Sequence, residues 1–563
     1  MPARGQDREV PRIARHCSAE SFRSPFPLYL LRKDRPDMNN SSAAWQHGYY
    51  AADGYTYGYY REMTPTHLAW AALLQGEVMP LQRFRYVDLG CGQGFNLILL
   101  AACFPDSQFL GIDFMPAHVR HARKLAEEAE LTNIRFVEAD FLQLAQSPVS
   151  LLDGSGSELD GQVDYAVAHG IASWVSPTVR ASLWALAGRL LRPGGLYYTS
   201  YNTVPGWLSA QPFQHLVRLN ARTAVDGAVA IRKALETFAR LEEVKAPIFA
   251  AQPGLKARLK TASEQDMAYV TQEYNNQSWQ PLFVADMMAE AEAVKLAWLG
   301  TATLPDMFDG LMPAAAAKLI QAEADPVMRE SLRDIATLKA FRRDLYIKGK
   351  APAWAGERQR RITATRFVSA PFMELPEGSN GKLELATSAG KINFNRSVFK
   401  NVLDITGQPG GASLDEIQVR TGDASLSNTV QKVSLMMDAG WIQIPLAAPA
   451  NAARLNLAIA QAVRDGAPYR VLAVPGVGQA ASMDALKALL LAESANGEQF
   501  PAQAPAAEEL LEKLAQLRRK LTVSLEIDGA KHTEGPVFDA ELERLVREFS
   551  GPFWQAGKSL GML

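Results

Sequence analysis

The chain has little cysteine, no excess of either charge and no long apolar run. Its 563 residues contain only Cys17, Cys91 and Cys103, too few for a disulfide framework and without metal-ligand spacing. Lys and Arg number 58 against 60 Asp and Glu, a formal charge of −2. The positive surplus of a chain that wraps nucleic acid non-specifically is therefore missing. The apolar stretch from Leu97 to Phe104 falls well short of the ~18–20 residues that span a bilayer, so no membrane insertion is expected. No internal repeat is found, which argues against solenoids and propellers. What remains is ordinary globular usage, 48% hydrophobic and 21% charged, in a chain long enough for three or four folding units. A reducing compartment, the cytoplasm, is the expected location.

Residues 1–37 differ from the rest of the chain. They are rich in arginine, carry acids as well, and include the turns Ser24-Pro25 and Phe26-Pro27. Phe26 to Leu31 is too short and too broken for a secretory signal, and the acids argue against a transit peptide. Two readings stand: an extension ahead of a true start at Met38, or a disordered tail.

From Phe84 onward, β-type runs alternate with helical ones. The pattern predicts strands at Phe84–Asp88, Gln108–Asp113, Ile134–Ala139, Val163–Ala168 and Leu196–Tyr201. Helices are predicted at Asn96–Phe104, Pro116–Glu130 and Pro177–Leu191, two of them opening on proline. Strand–helix alternation at this spacing indicates a doubly wound parallel sheet. Residues 209–293 are helical in period, and Lys295–Thr301 and Asp344–Ile347 then resemble strands. The preferred reading makes the helical block an insertion in the sheet domain; the alternative ends the sheet at Asn202. After a Gly-, Pro- and Arg-rich linker at Gly349–Arg361 come three short helices, Ser397–Asp404, Leu414–Arg420 and Leu426–Asp438, and a strand at Trp441–Ile444. That is a winged-helix layout. Its third helix offers only Lys432 as a cation, so a protein-contact or structural role is expected rather than DNA binding. The expected organisation is an extension (1–37), a sheet core (38–208), a helical insertion (209–293), returning strands (294–350), a linker with the winged-helix-like domain (351–447), and a mostly helical end (448–563).

One motif carries chemistry. Asp88-Leu-Gly90-Cys-Gly92-Gln-Gly94 lies at a strand-to-helix junction, where glycines turn tightly and bring bare main chain to a ligand beside unpaired helix N–H groups. Asp113 stands nineteen residues after Gly94 at the end of the next strand, the place from which a carboxylate grips a ribose diol. The spacing is not the G-x-G-x-x-G of nicotinamide or flavin enzymes, and no P-loop occurs.

The pattern resembles motif I of the S-adenosylmethionine-dependent methyltransferases with a Rossmann-like seven-stranded sheet. Asp113-Phe114-Met115, Glu138-Ala-Asp140-Phe141 and Leu191-Arg-Pro-Gly-Gly195 agree in order and spacing. Tyr55 to His67, His169-Gly-Ile-Ala-Ser-Trp-Val175, Ser200 to Trp207, Gln272 to Asn276 and Gln280 to Phe283 narrow the likeness. They resemble bacterial methyltransferases with a methyltransferase regulatory domain, the group that includes the rickettsial protein lysine methyltransferases. The resemblance covers roughly residues 45–445; its Tyr-rich segment replaces a more proline-rich stretch in the lysine enzymes.

The resemblance implies S-adenosylmethionine as cofactor, with Asp88, Gly90, Cys91, Gly92, Gly94, Asn96, Asp113, Phe114, Met115, Asp140, Phe141, His169 and Gly170 around it. Cys91 by itself reads as a small buried filler. His169, Tyr201 and Asn202, at strand ends, are candidates for acceptor chemistry with Tyr57, Tyr60, Glu273 and Tyr274. No metal is implied. A protein lysine is the implied acceptor and a homodimer the implied assembly; a small molecule or surface glycan, or a non-catalytic cofactor-binding scaffold, are the alternatives.

Overall fold

The computed structural model describes residues 45–46, 49–50 and 57–563, apart from 148, 154, 225, 266, 277, 371–374, 377–380, 448–449, 518–524 and 528–529. The extension 1–37, Met38 and Tyr55 lie outside the described residues.

Seven strands form the central sheet: β1 (Arg85–Leu89), β2 (Gln108–Asp113), β3 (Ile134–Glu138), β4 (Val163–Ala168), β5 (Leu191–Asn202), β6 (Leu296–Thr301) and β7 (Phe341–Lys348). Their order is β3-β2-β1-β4-β5-β7-β6. The first five are parallel, and β7 runs antiparallel to both β5 and β6. The chain thus leaves the sheet after β5 and returns to it, so the alternative that ended the sheet at Asn202 fails. Both faces are covered, which is why the strands read as continuous apolar runs rather than alternating ones. Tyr86, Phe109, Tyr165 and Tyr198 pack on one face; Val87, Leu110, Ala166, Tyr197 and Tyr201 pack on the other.

Helix α1 (Pro65–Leu74) precedes the sheet. α2 (Phe95–Cys103), α3 (Pro116–Glu128), α4 (Phe141–Gln146) and α5 (Pro177–Leu190) connect its strands. Every residue of α2 is buried, and α5 opens on Ser176, whose hydroxyl accepts the Val179 N–H, a standard cap. Arg192-Pro-Gly-Gly195, which the sequence pattern leaves between the helix ending at Leu191 and the strand from Leu196, is a bulge inside β5, between the Leu191–Val163 and Leu196–Tyr165 pairs. A Cβ on Gly195 would come within 2.7 Å of the Val163 carbonyl oxygen.

A compact helical unit spans residues 206–276, with helices at Gln211–Ala221, Gly227–Glu243, Pro253–Glu264 and Met267–Tyr274 around Phe213, Ile231 and Phe238. It is shorter than the expected insertion, because Met287 and Ala291 of the helix Val284–Ala293 join the sheet's own core.

Beyond β7 the expected linker is partly helix, Ala355–Ala364. Glu357 and Arg361, one turn apart, pair along it, and Ile362 is buried; this i,i+4 signal is outweighed in the sequence by the Gly/Pro/Arg content. Three helices come next, Arg396–Thr406, Leu414–Thr421 and Leu426–Asp438, beside a small antiparallel sheet with Arg366–Ser369 between Ala412–Ser413 and Ile442–Gln443. A hairpin, Lys382–Thr387 with Gly390–Asn395, adds to them. The C-terminal region joins helices to two hairpins, Val471–Val474 with Gln479–Ser482 and Leu525–Ile527 with Ala530–His532. No helix among the described residues is long and apolar enough to cross a membrane.

Candidate active site

The glycine loop between β1 and α2 is held by the neighbouring strand. Gly90, Gly92 and Gly94 have φ of +91°, +54° and +71°, the left-handed region that glycine enters without Cβ strain. The N–H groups of Gly90 and Cys91 donate to the Ile112 carbonyl at the end of β2. A Cβ on Gly94 would lie 2.5 Å from the Ala122 Cβ and 2.8 Å from the Phe136 ring, so the loop sits flush against α3 and β3. Cys91 Sγ packs towards Gly111, as a filler would.

Asp113 ties this loop to β2. Its Oδ2 accepts the Gly92 N–H at 2.9 Å; Oδ1 accepts the Met115 N–H at 2.9 Å and faces His118 Nδ1 at 3.2 Å. Asp88 is the contrasting carboxylate. It is 3% exposed, and its Oδ1 has no hydrogen-bond partner among the described residues. Burial, and then the charge of Asp113, push its pKa up to about 8. A buried carboxyl without a partner is costly unless a cation or donor reaches it.

Further along the strand ends, Asp140 caps α4, its Oδ1 accepting the Leu142 N–H at 2.7 Å. Phe141 is buried and its ring edge is near the Gly90 Cα side; Phe114 and Met115 are half-buried. The Gly170 N–H donates to Ser200 Oγ at 2.8 Å. His169 Nδ1 bonds the Tyr198 hydroxyl at 2.8 Å, and the Tyr60 ring stacks on the imidazole at a centroid distance of 4.0 Å. Burial lowers the His169 pKa to about 4; the nearby Glu62 raises it and Arg343 lowers it further. Glu62 pairs with Arg343; burial works against its charge, but Arg343 and then His169 hold its pKa at about 2.

Six further expected residues take the following places. Tyr201 is fully buried on the opposite face from Tyr198, its hydroxyl donating to Asp344 within a network of Arg342, Asp334 and Glu330. Strand residues alternate in direction, so the group beside His169 is Tyr198, which the sequence reading passes over with Glu62 and Arg343. Counting by twos back from Ser200 finds Tyr198. Tyr57 packs against Phe95, His121 and Tyr469. Asn96 is buried and its Oδ1 accepts the Tyr60 N–H at 3.1 Å, so its amide holds the 57–63 segment. Asn202 is buried at the end of β5, its N–H donating to Ser173 Oγ and its carbonyl accepting the Leu282 N–H. Glu273 and Tyr274 belong to the helical unit, where the Tyr274 ring packs on Phe213 and Trp207.

Residues 82–302 match a model described as a methyltransferase domain, and residues 266–348 one described as a predicted methyltransferase regulatory domain. The uncharacterized protein sll1526 of Synechocystis is 31% identical over 404 residues, covering 70% of this chain and 76% of that protein. The chain belongs to the S-adenosylmethionine-dependent methyltransferases with a regulatory domain. Another relative, the uncharacterized protein RP789 of Rickettsia prowazekii, is 26% identical over 55% of this chain and 54% of its own length. Among solved structures, PKMT2 from Rickettsia typhi in complex with AdoHcy superposes with a TM-score of 0.65 at 19% identity, covering 90% of this chain and 99% of that one. That likeness shows the fold.

The methyltransferase's residues fit its cofactor. An amino-acid-bearing sulfonium brings positive charge, and the buried Oδ1 of Asp88, without a hydrogen-bond partner among the described residues, is a group that would suit it. Asp113 Oδ2 accepts one N–H and keeps lone-pair capacity for a hydroxyl.

Proposed function

We propose that this methyltransferase modifies a lysine side chain of a protein, at a site whose cofactor side is Asp88, the glycine loop, Asp113 to Met115, Asp140, Phe141 and Gly170. Its acceptor side is Tyr60, His169 and Tyr198, with Asn202 at its edge. The observation that carries the acceptor assignment is the stacked Tyr60–His169 pair bonded to Tyr198. The name of PKMT2 agrees with it.

The bound cofactor supplies an electrophilic methyl carbon on sulfur; the chain's residues do the rest by positioning and by excluding water. A lysine with its reference pKa of ~10.4 costs about 4.6 kcal/mol to neutralise at pH 7. A wall of Tyr60, Tyr198 and an imidazole that stays neutral above about pH 4 disfavours the ammonium and lowers that cost. The neutral His169, fixed by the buried Tyr198 hydroxyl, and the Tyr60 hydroxyl then orient the amine. The charge balance and the nearly neutral third helix of the winged-helix-like domain speak against a nucleic-acid acceptor.

Methyl donor labelled on its transferable carbon, mixed with the protein and cell lysate, tests this. Labelled protein bands that survive base and yield methyl-lysine on hydrolysis are expected. Label confined to low-mass products would replace the lysine reading with small-molecule methylation. Tight donor binding with no labelled product would leave a scaffold.

A further inference from the structure

The segment Tyr57–Met63 is anchored at nearly every residue, and three of its anchors come from beyond the sheet. The Tyr57 ring sits 5.1 Å from that of Tyr469, whose hydroxyl bonds His121 Nε2 at 2.6 Å. The Tyr59 hydroxyl accepts the Ala480 N–H at 3.0 Å. Arg61 Nη1 donates to the Asp438 carbonyl at 2.7 Å, at the end of the helix Leu426–Asp438. From the sheet itself, Tyr86 donates its hydroxyl to the Met63 carbonyl at 2.9 Å, and Arg343 on β7 pairs with Glu62. Arg343 is in turn placed by Thr303 Oγ1 and lies 5.0 Å from the Phe341 ring centroid. Between Arg61 and the Asn96 contact stands Tyr60, stacked on His169.

We propose that Arg61, Glu62 and Arg343 are positioning residues for methyl transfer, holding Tyr60 over His169, and that the C-terminal regions serve the site by fastening this strap. The proposal rests on the reading of Tyr60, His169 and Tyr198 as the acceptor wall. The bonded pair Glu62–Arg343 acts on the His169 imidazole with opposite signs, and the other titratable groups described against that ring are the Tyr60 and Tyr198 phenols. Loss of either member of the ion pair therefore both loosens the strap and changes the field at His169. Loss of Arg61 loosens the strap and leaves both charges of the pair in place.

The full-length chain is compared with Glu62→Gln, Arg343→Gln, Arg343→Lys and Arg61→Gln. Methyl transfer is expected to fall by about 100-fold in kcat for the two ion-pair glutamine variants, as for a displaced reacting group. Affinity for S-adenosylhomocysteine should stay within about twofold, since no cofactor-side residue is touched. Arg343→Lys should recover part of the loss, and Arg61→Gln should lower kcat. Isotope-labelled histidine followed by NMR supplies the readout that a purely structural role would leave still. Arg343→Gln should raise the His169 pKa from about 4 and Glu62→Gln should lower it. This readout needs no acceptor and is made on whichever variants fold.

Unchanged transfer in both ion-pair glutamine variants overturns the proposal, as does loss of cofactor affinity in step with transfer. A His169 titration that ignores both substitutions overturns it too. The acceptor wall fails separately, if His169→Gln transfers methyl groups at the wild-type rate.

Discussion

The two halves of the candidate site are built on opposite physics. The cofactor half is main chain and carboxylate: three glycines with positive φ, N–H groups committed to Asp113, and Asp88 waiting for a counter-charge. The acceptor half is ring on ring, with a neutral imidazole at its centre and one ion pair fixing its edge. A cofactor that carries charge and many hydroxyls is recognised by fixed dipoles and an acid. The amine acceptor proposed above, which must give up its proton, would be served by surroundings that do not favour a cation.

The largest effect that would break this division is steric. Gly94→Val puts a branched side chain at φ +71°, where even a Cβ would be 2.5 Å from Ala122. Left-handed strain of about 1–2 kcal/mol and overpacking of about 1–3 kcal/mol should lower the melting temperature and abolish S-adenosylhomocysteine binding. Near-normal binding by calorimetry would mean that the loop's close approach to α3 does not shape the cofactor half.

His169→Gln probes the other half. It should lower kcat by about 100-fold, the lower range for a positioned polar group at a proton-transfer site, while cofactor affinity stays within about twofold. Equal losses in kcat and affinity would merge the halves into one.

The halves also differ in how far they can be read from residue order. Asp88 to Phe141 lies within about fifty residues, so the strand–loop–helix rhythm and the acid at Asp113 are visible as spacing. The acceptor half gathers residues 60, 169, 198 and 343, with residue 438 fastening its strap. Such contacts depend on which strand neighbours which, and the placement of β7 between β5 and β6 has no local signal. Tyr201 shows the finer limit: the strand is legible, but its register relative to the two faces is not, and a shift of one residue reverses every side chain. The Ala355–Ala364 helix shows another, since its Glu357–Arg361 pair and buried Ile362 are weaker signals than the surrounding Gly, Pro and Arg.

The smallest effect is one of pH, and it sharpens the comparison because the two halves should titrate in different ranges. Asp88 has its pKa raised to about 8 in the free protein, so near pH 7 it is mostly protonated. A cationic ligand prefers the carboxylate, so binding must expel that proton. Affinity for S-adenosylmethionine should therefore rise by about tenfold from pH 7 to 9 and then level off, with close to one proton released at pH 7. Calorimetry in buffers of different ionisation enthalpy reads the proton directly. Asp88→Asn should bind more weakly, with no such slope, and comparison with it cancels the ligand's own amine. His169, neutral above about pH 4, should add nothing in this range. An equal slope in wild type and Asp88→Asn would show that the buried carboxyl is not the counter-charge, and the cofactor half would then need a different anion.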